Sequence, residues 1–247
     1  MMYIVDDKHK IILLFFAKSG CSTVRLAYVN MIFDDMSEPE KHEYLARHGS
    51  VFKSHHAVAR SGALYLHQSK FADYTVVCVF RNTFKRLAST FVDKILDFKT
   101  DIPEKAIPHH SQDAKRSFPA FIEYIQNHNT VDPHFQHQSL PHYIIPYIDE
   151  TIEIGDLKRE IFKHRPAVRA KFIAHLEDRP VVNRTETRTD VSQNLARYNF
   201  EEDKDGIRAQ RQAPPYRLFY DAELIERVKT LYREEIDRFG VSFEDLL

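Results

Sequence analysis

The chain has 247 residues, 43% hydrophobic and 12% aromatic, enough to bury one sizeable core, so a single domain spanning 1–247 is expected. Its 35 basic and 36 acidic residues nearly cancel, which excludes a whole-molecule field that would draw the chain to nucleic acid or to an acidic membrane; any anion site has to be local. The cysteines, Cys21 and Cys78, stand far apart and without metal-ligand spacing, which argues against a disulfide scaffold or a zinc site.

The opening MMYIVDDKHKIILLFFAKSG contains a short apolar run, Ile11 to Phe16, that leads into a lysine with no small-residue cleavage pattern after it, so it reads as neither a signal peptide nor a membrane span. No other stretch approaches the roughly 18 to 20 apolar residues of a spanning helix, and a soluble, cytoplasmic protein is expected. Ile11 to Phe16 instead suits a strand buried on both faces of a parallel sheet. Lys18, Ser19, Gly20, Cys21, Ser22 and Thr23 then supply turn and N-cap residue types, and Val24, Leu26, Ala27, Val29 and Met31 continue into a helix. Asp34 to Phe71 reads as helical, with a pattern starting at Glu38-Pro39, another over Ala57 to Leu66, and a break near His48-Gly49-Ser50 that exposes Lys53, Ser54, His55 and His56.

A second strand, Thr75 to Phe80, is rich in β-branched residues; Arg81-Asn82-Thr83 leads from it into the helical pattern of Phe84, Leu87, Ala88, Phe91, Ile95 and Leu96. Two strand–loop–helix units predict an α/β fold, a three-layer α/β/α domain around a central, mostly parallel sheet of four or five strands, with ligands bound beyond the carboxyl ends of the strands. From Thr100 to His142 the chain is polar, rich in histidine and interrupted by Pro103, Pro108, Pro119, Pro133 and Pro141, which predicts loops around one short helix at Phe118 to Gln126. Substrate-binding loops have this composition. Asp178 to Pro215 is charged and nearly devoid of large apolar residues, reading as either a mobile excursion or a lid. Asp221 to Phe239 places Leu224, Ile225, Val228, Leu231, Tyr232 and Ile236 on one face of an amphipathic helix.

A small-residue loop that opens a helix after a buried strand presents backbone N–H groups and a positive dipole end to an anion, and Lys18 adds a full charge there. The order is not that of a Walker A motif, whose lysine follows the last glycine, whereas Lys18 precedes Gly20; an ordinary nucleotide kinase is thereby disfavoured. Ile12-Leu-Leu-Phe-Phe-Ala-Lys-Ser-Gly-Cys-Ser-Thr23 resembles the 5'-phosphosulfate loop of sulfotransferases that use 3'-phosphoadenosine-5'-phosphosulfate (PAPS), especially the carbohydrate-modifying ones of sulfotransferase family 2. Val79-Phe-Arg-Asn-Thr-Phe-Lys-Arg-Leu-Ala-Ser89 is similar to the family's 3'-phosphate motif, with Arg81 and Ser89 in the two phosphate-holding places and Asn82-Thr83 where the family usually has Asp-Pro. Arginine offers phosphate a fork of donors, and a serine two turns into the next helix adds a hydroxyl. Asp132-Pro-His-Phe-Gln-His-Gln138 looks like a weaker carbohydrate-sulfotransferase signature, and Leu231 to Gly240 resembles the family's closing helix.

The resemblance implies a P-loop-like sulfotransferase fold, a metal-free transfer of the sulfuryl group from PAPS to a hydroxyl, and an acceptor that is a carbohydrate. It implies that Lys18 stabilises the departing 3',5'-bisphosphate, that Ser19, Gly20, Cys21, Ser22 and Thr23 line the loop, and that Arg81 and Ser89 hold the 3'-phosphate. The base is His55 or His56, whose Lys-Ser-His-His-Ala setting resembles a region of catalytic histidines in uronic-acid-modifying sulfotransferases, with His110 and His134 in reserve; histidine suits proton transfer near neutral pH. Arg208 and Arg211 are candidates to close over the 3'-phosphate. The rival readings are a P-loop-like phosphotransferase using a nucleoside triphosphate with magnesium, and a non-catalytic nucleotide- or sugar-binding protein.

Overall fold

The computed structural model describes residues 1–34, 36–43, 73–96, 117–128, 134–178, 192–200, 202 and 213–246. In chain order the main elements are β1 (Met2–Asp6), β2 (Ile11–Phe15), α1 (Cys21–Asp34), β3 (Thr75–Phe80), α2 (Thr83–Thr90) with a π-helical turn at Phe91–Ile95, and α3 (Phe118–His128). Then come β4 (Ile148–Glu153), α4 (Leu157–Glu160), α5 (Pro166–Glu177), α6 (Ala222–Leu231) and α7 (Arg233–Phe239). The chain divides into two compact units, Met1–Arg81 with Gln138–Val182, and Asn82–His137 with Asn183–Leu247.

The first unit holds the whole sheet, in the order β1-β2-β3-β4. β2 pairs with β3 in parallel from Ile11↔Thr75 to Phe15↔Val79, and β3 pairs with β4 in parallel. Every residue of β2 is buried, as is β3 beyond its first residue. That is why both read as continuous apolar runs, the pattern of strands covered on both faces. On one face Ile11, Leu13, Phe15, Val77, Val79 and Ile152 share a core with Val24, Ala27, Tyr28 and Met31 of α1 and Phe172 and Leu176 of α5. Full burial of such side chains is worth about 1.5–3 kcal/mol each. The α/β class and the mostly parallel sheet are as expected.

Two strands are additions to the sequence reading. β1 folds back antiparallel on β2, from Met2↔Phe15 to Asp6↔Ile11. Its turn is organised by the buried Asp6 carboxylate, which accepts the His9 N–H at 2.9 Å, His9 Nδ1 at 2.7 Å and the Tyr28 hydroxyl at 3.1 Å. The Tyr74 hydroxyl, just before β3, donates to Asp7; burial and then this carboxylate push its pKa up to about 12. β4 is polar and half exposed, and its register with β3 shifts between Val76 and Val77, where the Asp149 side chain accepts the Val76 N–H at 2.8 Å.

In the second unit α2 is capped by Asn82, whose Oδ1 accepts the N–H groups of Phe84 and Lys85 at 3.0 and 3.2 Å. Phe91 meets Phe118, Phe121, Phe200 and Phe219 with ring centroids 5.3–5.8 Å apart, an aromatic core made mostly of edge-on and tilted pairs. Phe200 belongs to the segment read as a charged excursion or lid. Of that segment residues 178, 192–200, 202 and 213–215 are described, and Leu195, Ala196 and Phe200 are buried, with the Leu195 N–H bonded to Leu218 O at 2.6 Å. α3 matches the expected short helix. The expected continuous helix over Asp221 to Phe239 is instead divided into α6 and α7 at Tyr232, which has φ −116° and ψ 25°. At this kink the buried Tyr232 hydroxyl donates to Phe135 O at 2.5 Å. Among the described residues no helix is long and apolar enough to cross a membrane.

Candidate active site

β2 delivers the chain to a tight turn at Phe16–Gly20. The Ser19 hydroxyl donates to Phe16 O at 2.7 Å and accepts the Phe16 N–H at 3.0 Å, while the Ser19 N–H also bonds Phe16 O at 3.2 Å. Ser19 is fully buried, so its side chain shapes the loop from within. Lys18, half buried at the turn, has φ +65°, in the left-handed region that a residue with a Cβ enters at a cost of about 1–2 kcal/mol. Strain of this kind persists where the surroundings over-determine it. Here the Ser19 lock holds one side, and Arg81 Nη1 donates to the Lys18 carbonyl at 3.1 Å on the other.

Gly20 also has a positive φ, +68°, and a Cβ there would lie 2.7 Å from Ile154 Cδ1. Val24 N–H bonds Gly20 O at 2.9 Å and closes the first turn of α1. The first turn of α1 contains no acidic residue to compete with an anion for its N–H groups. Gly20→Ala is expected to destabilise the protein by about 1–3 kcal/mol, mainly through the backbone. Urea unfolding measures this, and a second change, Ile154→Val, should recover only the smaller steric part.

Arg81 follows the last residue of β3. Its peptide is gripped twice by Gln138, which accepts the Arg81 N–H at 2.9 Å through Oε1 and donates to Arg81 O at 2.7 Å through Nε2. The structure places Lys18, Ser19, Gly20 and Arg81 within one unit, with Arg81 bonded to the Lys18 carbonyl. Cys21, Ser22 and Thr23 open α1. Ser89 lies on α2 in the second unit and is 3% exposed.

Asn82-Thr83, where the resembled motif has Asp-Pro, has a local explanation. Asn82 caps α2 as an aspartate would, and its amide also donates to Ser242 O at 2.8 Å and to Asp245 Oδ2 at 3.3 Å, which a carboxylate could not do. Thr83 donates its hydroxyl to Glu235 Oε1 at 2.6 Å. The departure from the motif thus adds bonds to the C-terminal segment.

His55, His56, His110, Arg208 and Arg211 lie outside the described residues. His134 is described, and its carbonyl accepts Arg86 Nη1 at 3.1 Å and the Thr90 hydroxyl at 3.2 Å. His137 packs on Tyr232 with ring centroids 4.6 Å apart, and burial pushes its imidazole below the ordinary histidine range. The sequence reading missed two site neighbours. Gln138 was visible as the last residue of a quoted stretch, but no sequence signal tied it to Arg81; Ile154 follows a strand too polar to be read as one.

A lysine-bearing turn and an arginine lie beyond the carboxyl ends of the adjacent parallel strands β2 and β3, the place where open α/β sheets commonly bind ligands. The chain matches the Sulfotransferase family over residues 1–242 and belongs to that family, which makes it a transferase acting by sulfotransfer. No curated protein shows significant similarity to the chain, and no solved structure does.

Proposed function

We propose that the protein transfers the sulfuryl group of PAPS to a hydroxyl of a carbohydrate. The observation that carries this reading is the bond from Arg81 Nη1 to the carbonyl of Lys18 at 3.1 Å, which links the residues of the two resembled phosphate motifs while Lys18 occupies a left-handed conformation. Family membership supports sulfotransfer, and the resemblance of the two motifs supports PAPS as the donor. The carbohydrate acceptor is supported by the Asp132 to Gln138 resemblance and by the aromatic, histidine-rich sequence around it.

In this reading the acceptor hydroxyl attacks sulfur in line, a new S–O bond forms, and the bond to the bridging phosphate oxygen breaks. The hydroxyl proton passes to His55 or His56. The electron pair leaves with adenosine 3',5'-bisphosphate, whose developing charge is met by the Lys18 ammonium and the N–H groups at the start of α1; positioning and electrostatics supply the catalysis. Arg81 and Ser89 hold the 3'-phosphate.

Calorimetric titration of the purified chain with adenosine 3',5'-bisphosphate, in parallel with ATP plus magnesium, tests the donor without knowledge of the acceptor. Micromolar binding of the bisphosphate alone is the expected result, and binding of ATP alone would overturn it in favour of phosphotransfer. Arg81→Ala should weaken bisphosphate binding by about 1.5–3 kcal/mol, the scale of a lost charge-assisted hydrogen bond. An unchanged affinity would remove Arg81 from the site.

A further inference from the structure

We propose that Gln138 is a positioning residue of the donor site, acting through Arg81; this rests on the reading of Arg81 as a phosphate-holding residue. The sheet explains why such a residue is needed. The pairing of β3 with β2 ends at Val79, and its pairing with β4 ends at Phe80, so the ladder stops one residue before Arg81. The Arg81 peptide is bonded instead by one side chain, with Gln138 Oε1 accepting its N–H at 2.9 Å and Gln138 Nε2 donating to its carbonyl at 2.7 Å.

A primary amide performs both halves of this grip because it carries an acceptor and a donor side by side, which a carboxylate or an aliphatic side chain does not. Gln138 is 1% exposed, so its polar atoms are not shared with bulk water, and its own rotamer is held by packing. The grip fixes the φ and ψ of Arg81 and with them the direction in which the side chain leaves the backbone. That side chain in turn donates to the carbonyl of Lys18, the residue held at φ +65°. A continuous set of bonds thus runs from Gln138 through Arg81 to the loop that carries the lysine. Gln138 itself touches no part of the donor in this scheme; it aims the residue that holds the 3'-phosphate.

The test is a double-mutant cycle read by calorimetric titration of the full chain with adenosine 3',5'-bisphosphate. Gln138→Met keeps the length and removes both hydrogen bonds. It is expected to weaken binding about tenfold in the wild-type background, the worth of roughly one hydrogen bond, and to have almost no further effect in the Arg81→Ala background. An equal loss in both backgrounds would mean that Gln138 merely supports the fold, and no loss in the wild-type background would mean that Arg81 does not depend on it; either overturns the inference.

The two readings fail differently. If the wild-type chain does not bind the bisphosphate, the donor site and this inference fall together. If wild type binds and Arg81→Ala weakens it while Gln138→Met does not, only the inference falls. Should Gln138→Met not fold, hydrogen exchange at the Arg81 amide of the wild-type chain decides: slow exchange is expected although the residue lies beyond the ladder, and exchange as fast as in an open loop would refute the grip.

Discussion

Lys18→Ala is expected to lower turnover of PAPS by about 10²–10³-fold, the cost of removing one preorganised group aimed at charge that develops in the transition state. Binding of adenosine 3',5'-bisphosphate should change far less, because in the proposed mechanism the ammonium acts where charge appears on the bridging oxygen, and interactions made mainly in the transition state affect rate more than ground-state affinity. Lys18→Gly provides the control. It should lose as much activity as Lys18→Ala, yet be more stable by about 1 kcal/mol, because glycine populates the left-handed region without a Cβ penalty and Lys18 sits at φ +65°. Release of the bisphosphate from PAPS in the presence of a pool of glycans measures the first effect, and urea unfolding measures the second. Turnover retained within about threefold in both variants would take Lys18 out of the chemistry and leave the loop as an anion-binding turn.

The value of the glycine control is that it separates two roles that one residue combines. A lysine in a left-handed conformation is a poor choice for stability and is kept there by Ser19 from inside the turn and by Arg81 from the neighbouring strand end. Sequence alone placed Lys18 in the loop but could not reveal its backbone conformation, since glycine, the usual marker of positive φ, stands two residues later at Gly20.

The same contrast runs through the fold. β2 and β3 were legible because strands buried on both faces must be apolar throughout. β4 was not, because Ile148-Asp-Glu-Thr-Ile-Glu153 is half exposed and carries three acids, and what makes it a strand is its pairing with β3, aided by the Asp149 side chain that bridges the register shift. That a helix opens after β2 and after β3 was legible from local turn and cap chemistry, which acts within a few residues, although α1 begins at Cys21, inside the stretch read as turn and cap. The kink at Tyr232 coincides with a bond to Phe135, far away in sequence, and the apolar periodicity runs through it unbroken. Likewise Arg81 was legible as a motif residue, whereas Gln138 became its partner only through the fold.

Removing either member of the buried Arg86–Glu235 pair is expected to destabilise the second unit by about 3–5 kcal/mol, since the remaining charge would be left in the interior without its partner. The two side chains are 0% and 1% exposed, and Arg86 Nη2 meets both Glu235 oxygens at 2.9 Å. Arg86 Nη1 serves the carbonyls of His134 and Gln136 at 3.1 and 2.9 Å, and the guanidinium carbon lies 5.2 Å from the centre of the Tyr232 ring. Arg86→Met would therefore take the counter-charge from the Glu235 carboxylate and one donor from each of the two carbonyls. Glu235→Gln should cost less, because its amide oxygen still accepts from Arg86, and Arg86→Met with Glu235→Leu should recover more than half of the single loss, as expected when a buried pair is replaced by apolar side chains of similar size. With no tryptophan in the chain, urea unfolding followed by far-UV circular dichroism is the suitable probe. Single losses below about 1 kcal/mol, the scale of an exposed ion pair, would show that water reaches the site. The consequence extends to activity: Arg86 and Ser89 share α2 three residues apart, so the bonds that hold Arg86 also hold the turn carrying the serine proposed for the 3'-phosphate. Glu235→Gln should accordingly weaken bisphosphate binding less than Arg86→Met does, and a reversed order would mean that the placement of Ser89 does not depend on this pair.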